Sequence, residues 1–153
     1  MNATLLACFR GHDSAAPYDI DDILFHWTDE DWENTHDFIQ WIFPTSTKSA
    51  HNPDAPILDG KTAKHLGINH WSDFYSTVDC FEAFLINTKA FHSFNHNFLR
   101  ISRVIQSLQE VGCNNRARNF YNFCLKMEKQ FYKGDSIDFL THWEKAFNSP
   151  RLY

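Results

Sequence analysis

The sequence predicts an all-α protein, built as a single-domain helical bundle of about six to seven helices. Apolar residues recur every three or four positions through most of the chain, and no segment alternates apolar and polar residues as a half-buried strand does. The 153 residues are 43% hydrophobic and 16% aromatic, which is enough for one core filled largely by rings. We therefore expect one folded domain.

The first residues differ from the rest of the chain. Residues 1–16 lack a clear apolar period and are followed by Pro17, so they are predicted to form a flexible or loosely docked N-terminal lead-in. Residues 17–149 carry the helical pattern and are predicted to form the domain.

Two helices are predicted next. Ile20 to Trp27 has helical spacing and acidic residues in its first turn, where the helix dipole favours them. Thr28 then begins a sequence typical of a capping box, which predicts a second helix to about Phe43. Pro44 ends that helix because proline disfavours a helical residue before it.

A long connection over residues 45–60 is rich in Pro, Ser, Thr and Asn, and long connections are often functional. A short helical turn is predicted near residues 61–66. Asn69 is predicted to cap a helix whose apolar rhythm extends to Leu85, and another helix is predicted from about Thr88 to Val111.

The last third of the chain has clear helix boundaries. Gly112 occupies the place of a left-handed C-cap, and Asn114 or Asn115 can cap the following helix. That helix has a predicted buried row of Ala117, Tyr121, Cys124, Leu125 and Phe131. Gly134 breaks it, and Ser136 begins a last helix that ends near Phe147, before Pro150.

Composition narrows the class of protein. The chain has no run of about 18 apolar residues and no basic leader, so we expect a cytoplasmic protein without a transmembrane segment. Its four cysteines are far apart and include no C-x-x-C pair, which predicts reduced, mostly buried thiols and neither disulfides nor a zinc knuckle. No cofactor is predicted.

Charge is distributed unevenly along the chain. Residues 1–60 hold eleven acidic and two basic side chains, or about −9, whereas residues 61–153 hold eight and twelve, or about +4. We expect acidic groups of the first part to meet Lys and Arg of the second. Nucleic-acid binding is not favoured by a net charge of −5, but a structural or nucleic-acid-associated alternative remains, with Arg116, Arg118, Lys126 and Lys129 as the basic residues.

A first group of polar residues lies in the aromatic segment His36–Pro44. His36 and Gln40 are four residues apart and are predicted to share one helix face, while Asp37 and Trp41 share the neighbouring face. These side chains offer acceptors, an amide and an indole N–H near each other.

A second group is formed by His92, His96, Asn97, Arg100 and Arg103, of which the histidines and arginines fall in one helical stripe. The His-x-x-x-His spacing suits two ligands of a metal on one helix, so a metal-dependent hydrolytic enzyme using His36, His92 and His96 is an alternative function. No Glu follows the first of the paired histidines as in metalloproteases, and an ordinary structural role is favoured over a metal site.

Two interpretations of these groups stay open. Asp37 can pair with Arg100 or Arg103 across two packed helices and fix their register. The same groups can instead line a groove with Trp41 and Phe43 that recognises a peptide or a small ligand. The sequence has no G-x-S-x-G motif, P-loop or G-x-G-x-x-G, so no catalytic assembly is predicted.

Three segments resemble one family in order and spacing. The sequence HDFIQWIFP at residues 36–44 resembles H-x-Y-I-Q-W-L-F-P, and NPDAP at residues 52–56 resembles N-x-x-A-P. HNFLRISRVIQSL at residues 96–108, followed by Gly112, is similar to H-x-x-L-R-I-T-R-I-L-x-S-L. These are motifs of the opioid growth factor receptor domain, and the similarity covers about residues 17–147.

That resemblance implies an all-helical module which in animals binds the enkephalin pentapeptide and is associated with the nucleus and membranes. The chain departs from the animal pattern between Asp59 and Phe91 and has no repeat tail, so it looks like a short single-domain member of bacterial type. The acidic first part could attract the amine of such a peptide.

The predicted function is therefore a non-enzymatic peptide or small-ligand binding module. The predicted ligand-binding residues are His36, Gln40, Trp41, Phe43, Asn52 and His96. A supporting polar network is predicted from Asp37, Asn97, Arg100 and Arg103. The oligomeric state does not follow from the sequence.

Overall fold

A computed structural model describes residues 1–134 and 138–153, and these residues confirm the all-α class, with no strand among them. They form nine helices within the described ranges, more than predicted. The helices are α1 (Ala3–Arg10), α2 (Ile20–His26), α3 (Asp29–Asn34), α4 (Ile39–Ile42), α5 (Gly60–Asn69), α6 (Trp71–Asn87), α7 (Asn97–Val111), α8 (Asn114–Phe131) and α9 (Asp138–Phe147).

Helix α7 is the central element of the fold. It packs against α8 and α9 along most of its length and also contacts α5 and α6. Aromatic rings fill the space around it: Phe98 lies within 5.5 Å of the Trp143 ring, and the Trp143 indole N–H donates to the Phe98 carbonyl at 2.9 Å. Because Trp143 is fully buried, this bond satisfies a polar group that water cannot reach.

The predicted flexible lead-in over residues 1–16 is wrong for residues 3–10. Residues Ala3–Arg10 form α1, capped by the Asn2 side chain, and Leu5 and Cys8 are fully buried in the core. The Cys8 thiol lies 2.8 Å from the carbonyl oxygen of Tyr18. Eight residues are too few to display a helical period clearly, so burial against the rest of the fold, and not local pattern, determines this helix.

The predicted helix from Thr28 to Phe43 is divided into α3 and α4. Its capping box is confirmed, since the Thr28 side chain accepts from the Asp31 amide and the Asp31 carboxylate accepts from the Thr28 amide. Thr35 then leaves the helical conformation, and the break places Phe38 in the core with no exposed surface. The predicted end before Pro44 is confirmed.

The predicted helix over residues 88–111 is shorter at its start. Helix α7 begins at Asn97, and the preceding segment turns through Lys89, whose φ is +54°. The Asn95 side chain stabilises the turn by donating to the Ala90 carbonyl at 2.7 Å. The predicted left-handed C-cap at Gly112 is confirmed by its φ of +90°.

Other boundaries also differ from the predictions. The helical turn predicted near residues 61–66 is a full helix, α5. Asn69, which was predicted to cap the next helix, is the last residue of α5, and His70 precedes α6. Helix α8 begins at Asn114 without a side-chain cap on its first amides. Ser136 and Ile137, the predicted start of the last helix, lie outside the described residues. In α8, Ala117 and Cys124 are buried as predicted, and the remaining predicted positions, Tyr121, Leu125 and Phe131, are half-buried.

Two further findings concern membrane spans and the state of the cysteines. Among the described residues, none of the helices is both long and apolar enough for a membrane span. All four cysteines are free thiols, and Cys8, Cys113 and Cys124 are buried as expected of structural thiols.

Candidate ligand-binding groove

Helix α7 carries three of the predicted polar residues, Asn97, Arg100 and Arg103, and its first turn binds the end of α3. Nη1 of Arg100 donates to the Trp32 carbonyl at 2.6 Å, and Nη2 donates to the Thr35 carbonyl at 2.7 Å. These carbonyls lie at the C-terminal end of α3, where backbone acceptors lack helical partners. Arg100 therefore caps α3 with a positive charge, as the helix dipole favours. Its guanidinium also lies over the Phe38 ring, 5.3 Å from the centroid.

Two neighbouring side chains bind the same helix end. His96 Nε2 lies 3.1 Å from one carboxylate oxygen of Glu33, and the Asn97 amide donates to the other at 3.3 Å. The Asn97 side-chain oxygen also accepts from Arg100 at 3.2 Å. Glu33 is on α3, so these three residues of the second polar group join α7 to α3.

Side chains in the middle of α7 bind residues 45–47, the start of the long connection. Arg103 donates to the Thr45 hydroxyl at 3.3 Å, and the Gln106 amide donates to the Thr47 hydroxyl at 2.9 Å. The buried carboxylate of Glu110 accepts from the Ser46 amide at 3.0 Å and from Gln106 at 3.0 Å. Residues 45–47 are thus fixed against α7 by side chains spaced at helical intervals.

These attachments leave a groove of about 540 Å³ between α4, residues 48–51 and the first half of α7. Its lining residues are His36, Ile39, Gln40, Lys48, Ser49, Ala50, His51, His96, Leu99, Arg100 and Arg103. The volume lies in the range of small-molecule sites, about 300–1,000 Å³.

Five predicted residues, taken from both polar groups, meet in this groove: His36, Gln40, His96, Arg100 and Arg103. Gln40 has a buried side-chain oxygen with no hydrogen-bond partner among the described residues. An unpaired buried acceptor costs about 1–3 kcal/mol, and such groups are often found at functional positions.

Three predicted ligand-binding residues do not line the groove. Phe43 is fully buried and packs on Phe74 in the core, and Trp41 is half-buried against the same core. Asn52 instead accepts from the Asp54 amide at 3.2 Å within its own turn. The break between α3 and α4 accounts for the first two, because it turns the aromatic end of the segment inward.

Of the two interpretations left open by the sequence, the one in which Asp37 pairs with Arg100 or Arg103 is wrong. Asp37 accepts a hydrogen bond from the Tyr18 hydroxyl, and among the described residues neither arginine has a carboxylate within 4.0 Å. Asp37 lies in the break before α4 and so is not on a helix face beside α7. Burial and the bond to Asp37 raise the pKa of Tyr18.

His92 does not join the stripe predicted for the second polar group, because α7 begins five residues after it. Its ring stacks on Phe131, with centroids 4.8 Å apart. Across residues 1–134 and 138–153, no three His, Cys, Asp or Glu side chains come together as a bound metal would require. The metal alternative with His36, His92 and His96 therefore gains no support from the geometry.

The four basic residues considered for nucleic-acid binding differ in their exposure to solvent. Arg116 is buried and binds Asp79 at 2.8 Å and Glu82 at 3.0 Å, which joins α8 to α6. Arg118, Lys126 and Lys129 are exposed. Among the described residues, no Lys or Arg of residues 61–153 pairs with an acid of residues 1–60, contrary to the expectation from charge. The His96 imidazole contacts such an acid, Glu33.

Six groove residues were not predicted as site residues from the sequence: Ile39, Lys48, Ser49, Ala50, His51 and Leu99. Lys48 and His51 belong to the long connection, whose length and composition indicated a possible functional segment without indicating which residues. Leu99 is 61% exposed, which is unusual for a leucine on a helix this well packed. Solvent exposure of an apolar residue is the signal here, and it depends on the tertiary structure.

The arginines and His96 of the groove are partly buried, and this burial changes their pKa values. Burial lowers the pKa of both Arg100 and Arg103, and nearby Glu33 and Glu110 oppose that shift. Burial also lowers the pKa of His96, with Arg100 adding to this effect and Glu33 opposing it. The groove therefore holds partly desolvated cations, and an anion beside them would recover part of the lost solvation.

Ser49 supplies a hydroxyl group to the lining of the groove. The Ser49 hydroxyl accepts from the backbone amides of His51 at 3.4 Å and Asn52 at 3.1 Å. Burial raises the pKa of the thiols, to about 12 for Cys8 and about 11 for Cys113, which keeps them protonated at neutral pH. The groove therefore offers groups that can bind a ligand.

No family model, curated protein or solved structure matches this chain.

Proposed function

We propose that this protein is a non-enzymatic ligand-binding module and that the groove between α4, residues 48–51 and α7 is its binding site. The observation that supports the proposal best is the meeting of His36, Gln40 and His96 with two arginines around one cavity of about 540 Å³. Sequence patterns far apart in the chain had indicated these residues independently.

The groove combines features of small-molecule sites. Ile39, Ala50 and Leu99 supply apolar surface, and the arginines and imidazoles supply a few oriented polar groups. Because Arg100 and Arg103 also bind the backbone or side chains of neighbouring elements, the walls are held in place before a ligand enters. A cytoplasmic location and a place among opioid growth factor receptor-like modules belong to the same proposal.

The local charge bears on the kind of ligand. The acidic first part of the chain led us to expect attraction of a peptide amine, but the lining of this groove is basic. An enkephalin-like peptide with its amine in this groove would meet like charge. The proposal therefore keeps ligand binding and does not include an amine as the group recognised there.

An NMR screen of a mixed fragment library against the ¹⁵N-labelled protein tests the proposal. We expect binders to shift the amides of residues 48–51 and of the first half of α7, and Leu99→Trp, which fills the groove, to remove those shifts. Ile68→Trp is the matched control, since Ile68 is 57% exposed on α5 and Leu99 61% on α7. Fragments that bind elsewhere and never at the groove would refute the proposed site.

A further inference from the structure

The groove is a basic surface on an acidic protein. Lys48, Arg100 and Arg103 line it together with the imidazoles of His36, His51 and His96. Among the described residues, its lining includes no carboxylate, whereas the whole chain has a net charge of −5. Lys48 is one of only two basic residues in the first sixty.

The positive charge of the two arginines is not neutralised at short range. Arg100 binds neutral carbonyls, and Arg103 binds a neutral hydroxyl, with no carboxylate within 4.0 Å of either in the described part of the chain. Arg116 shows the contrast, because its guanidinium binds two carboxylates. Glu33 and Glu110 act on Arg100 and Arg103 through charge, but their oxygens bind His96 and the Ser46 amide.

Arg103 has donors left for a ligand. Its guanidinium carries five N–H groups, and among the described residues only the bond from Nη1 to Thr45 is formed. Arginine binds planar and tetrahedral oxyanions through paired N–H groups, and a lysine beside it adds a second charge. Lys48 and His51 face the groove from the long connection, opposite Arg103 on α7.

We propose that the groove binds a small molecule through a compact oxyanion, a phosphate or carboxylate group, placed against Arg103, Lys48 and His51. The inference rests on the proposed function, since it names the chemical class of the ligand for the same site. The apolar surface of Ile39 and Leu99 receives the uncharged part of the molecule. Arg100 contributes charge from its position under the groove while it continues to cap α3.

Titration with three probes at constant ionic strength tests the inference. Pyrophosphate represents the phosphate source, citrate the carboxylate source, and choline a cation of similar size. We expect at least one of the two anions to shift the amides of residues 48–51 and α7, and choline to leave them unchanged. Anion binding should also raise the pKa of the His96 imidazole, because a nearby negative charge favours its protonated form.

Two pairs of substitutions separate the groove from general surface charge. Arg103→Gln and Lys48→Gln should each weaken binding of the anion by about tenfold, which is the usual loss for one charge-assisted hydrogen bond. Arg118→Gln and Lys126→Gln remove exposed charges on α8 and should change the Kd by less than about twofold. Arg103→Lys keeps the charge, and it should bind the anion more weakly than the wild type but more tightly than Arg103→Gln.

The possible outcomes are distinct. Equal losses in the α8 variants and the groove variants would overturn the inference, because the binding would then follow net charge alone. If neutral fragments or choline bind in the groove and neither anion does, the inference is overturned and the proposed function stays in place. If neither fragments nor anions bind there, both proposals fail.

Discussion

Nη1 of Arg100 lies 2.6 Å from the carbonyl oxygen of Trp32, across 68 residues of sequence. The same guanidinium binds the Thr35 carbonyl and covers the Phe38 ring, so one side chain of α7 stabilises the end of α3 and the break that follows it. The chain turns at this point to bury Phe38 and to form one wall of the groove. The first prediction concerns this contact.

Arg100→Lys should lower the free energy of unfolding by about 2–3 kcal/mol, since an ammonium cannot serve both carbonyls as the planar guanidinium does. Urea denaturation followed by circular dichroism measures the change. Arg118→Lys, at an exposed position on α8, is the matched control and should change stability by less than about 0.5 kcal/mol. Equal effects at both positions would contradict the capping role.

Tyr18 and Asp37 should be energetically coupled, and Asp37 should not be coupled to Arg100. Asp37→Ala and Tyr18→Phe each remove the hydrogen bond between them, so the double variant should be more stable than the sum of the single losses predicts, by about 0.5–1 kcal/mol. A second cycle with Arg100→Lys should be additive within about 0.5 kcal/mol. Coupling in the second cycle instead of the first would restore the ion pair expected from the sequence.

Gly67 on α5 should not tolerate a methyl group. A Cβ atom there would lie 2.0 Å from the Val111 carbonyl oxygen, a backbone atom that cannot move aside cheaply. Gly67→Ala should therefore destabilise the protein by about 1–3 kcal/mol in thermal or urea unfolding. This loss would occur although alanine favours helix by about 1 kcal/mol over glycine. Asn122→Ala, at an exposed position in α8, is the control and should be neutral or slightly stabilising. If Gly67→Ala stabilises the protein, the close packing of α5 on α7 is refuted.

Stability should fall at alkaline pH because of the Cys8 thiol. Burial raises its pKa to about 12 from an ordinary 9.0, so the unfolded chain loses this proton first as the pH rises. The native state then binds more protons than the unfolded state between about pH 9 and 12, and stability decreases through that range.

Urea denaturation at pH 8 and pH 10.5 measures this loss. The wild type should lose about 2 kcal/mol more than Cys8→Ala between the two values, because one proton corresponds to about 1.4 kcal/mol per pH unit. Cys80→Ala is the control, since Cys80 is only half-buried and its pKa is raised less strongly by burial. The same pH dependence in wild type and Cys8→Ala would show that the thiol ionises equally in both states.

Local signals in the sequence determined the helical class and several boundaries. Thr28 caps a helix through its own neighbouring residues, and Pro44 and Gly112 end helices through their own backbone preferences. Amphipathic spacing indicated the longest helices for the same reason, because residues three and four apart lie on one face. Each of these properties depends on residues close together in the chain.

Part of the groove was also visible in the sequence. Polar residues set in aromatic segments indicated His36, Gln40, His96, Arg100 and Arg103, and all five line the cavity. What the pattern could not give is the partner of each group. One interpretation paired Asp37 with an arginine, but Asp37 binds Tyr18, because a backbone break that the helical spacing does not reveal turns it away from α7.

The tertiary structure decided what depends on distant contacts. Helix α1 exists because Leu5 and Cys8 find a core to enter, and α3 ends where Arg100, 65 residues after Thr35, supplies its cap. Lys48 and His51 became groove residues only when Glu110 and Gln106 fixed the start of their loop against α7. Helix propensity and capping act within a few residues, whereas burial and charge pairing depend on which segments the folded chain brings together.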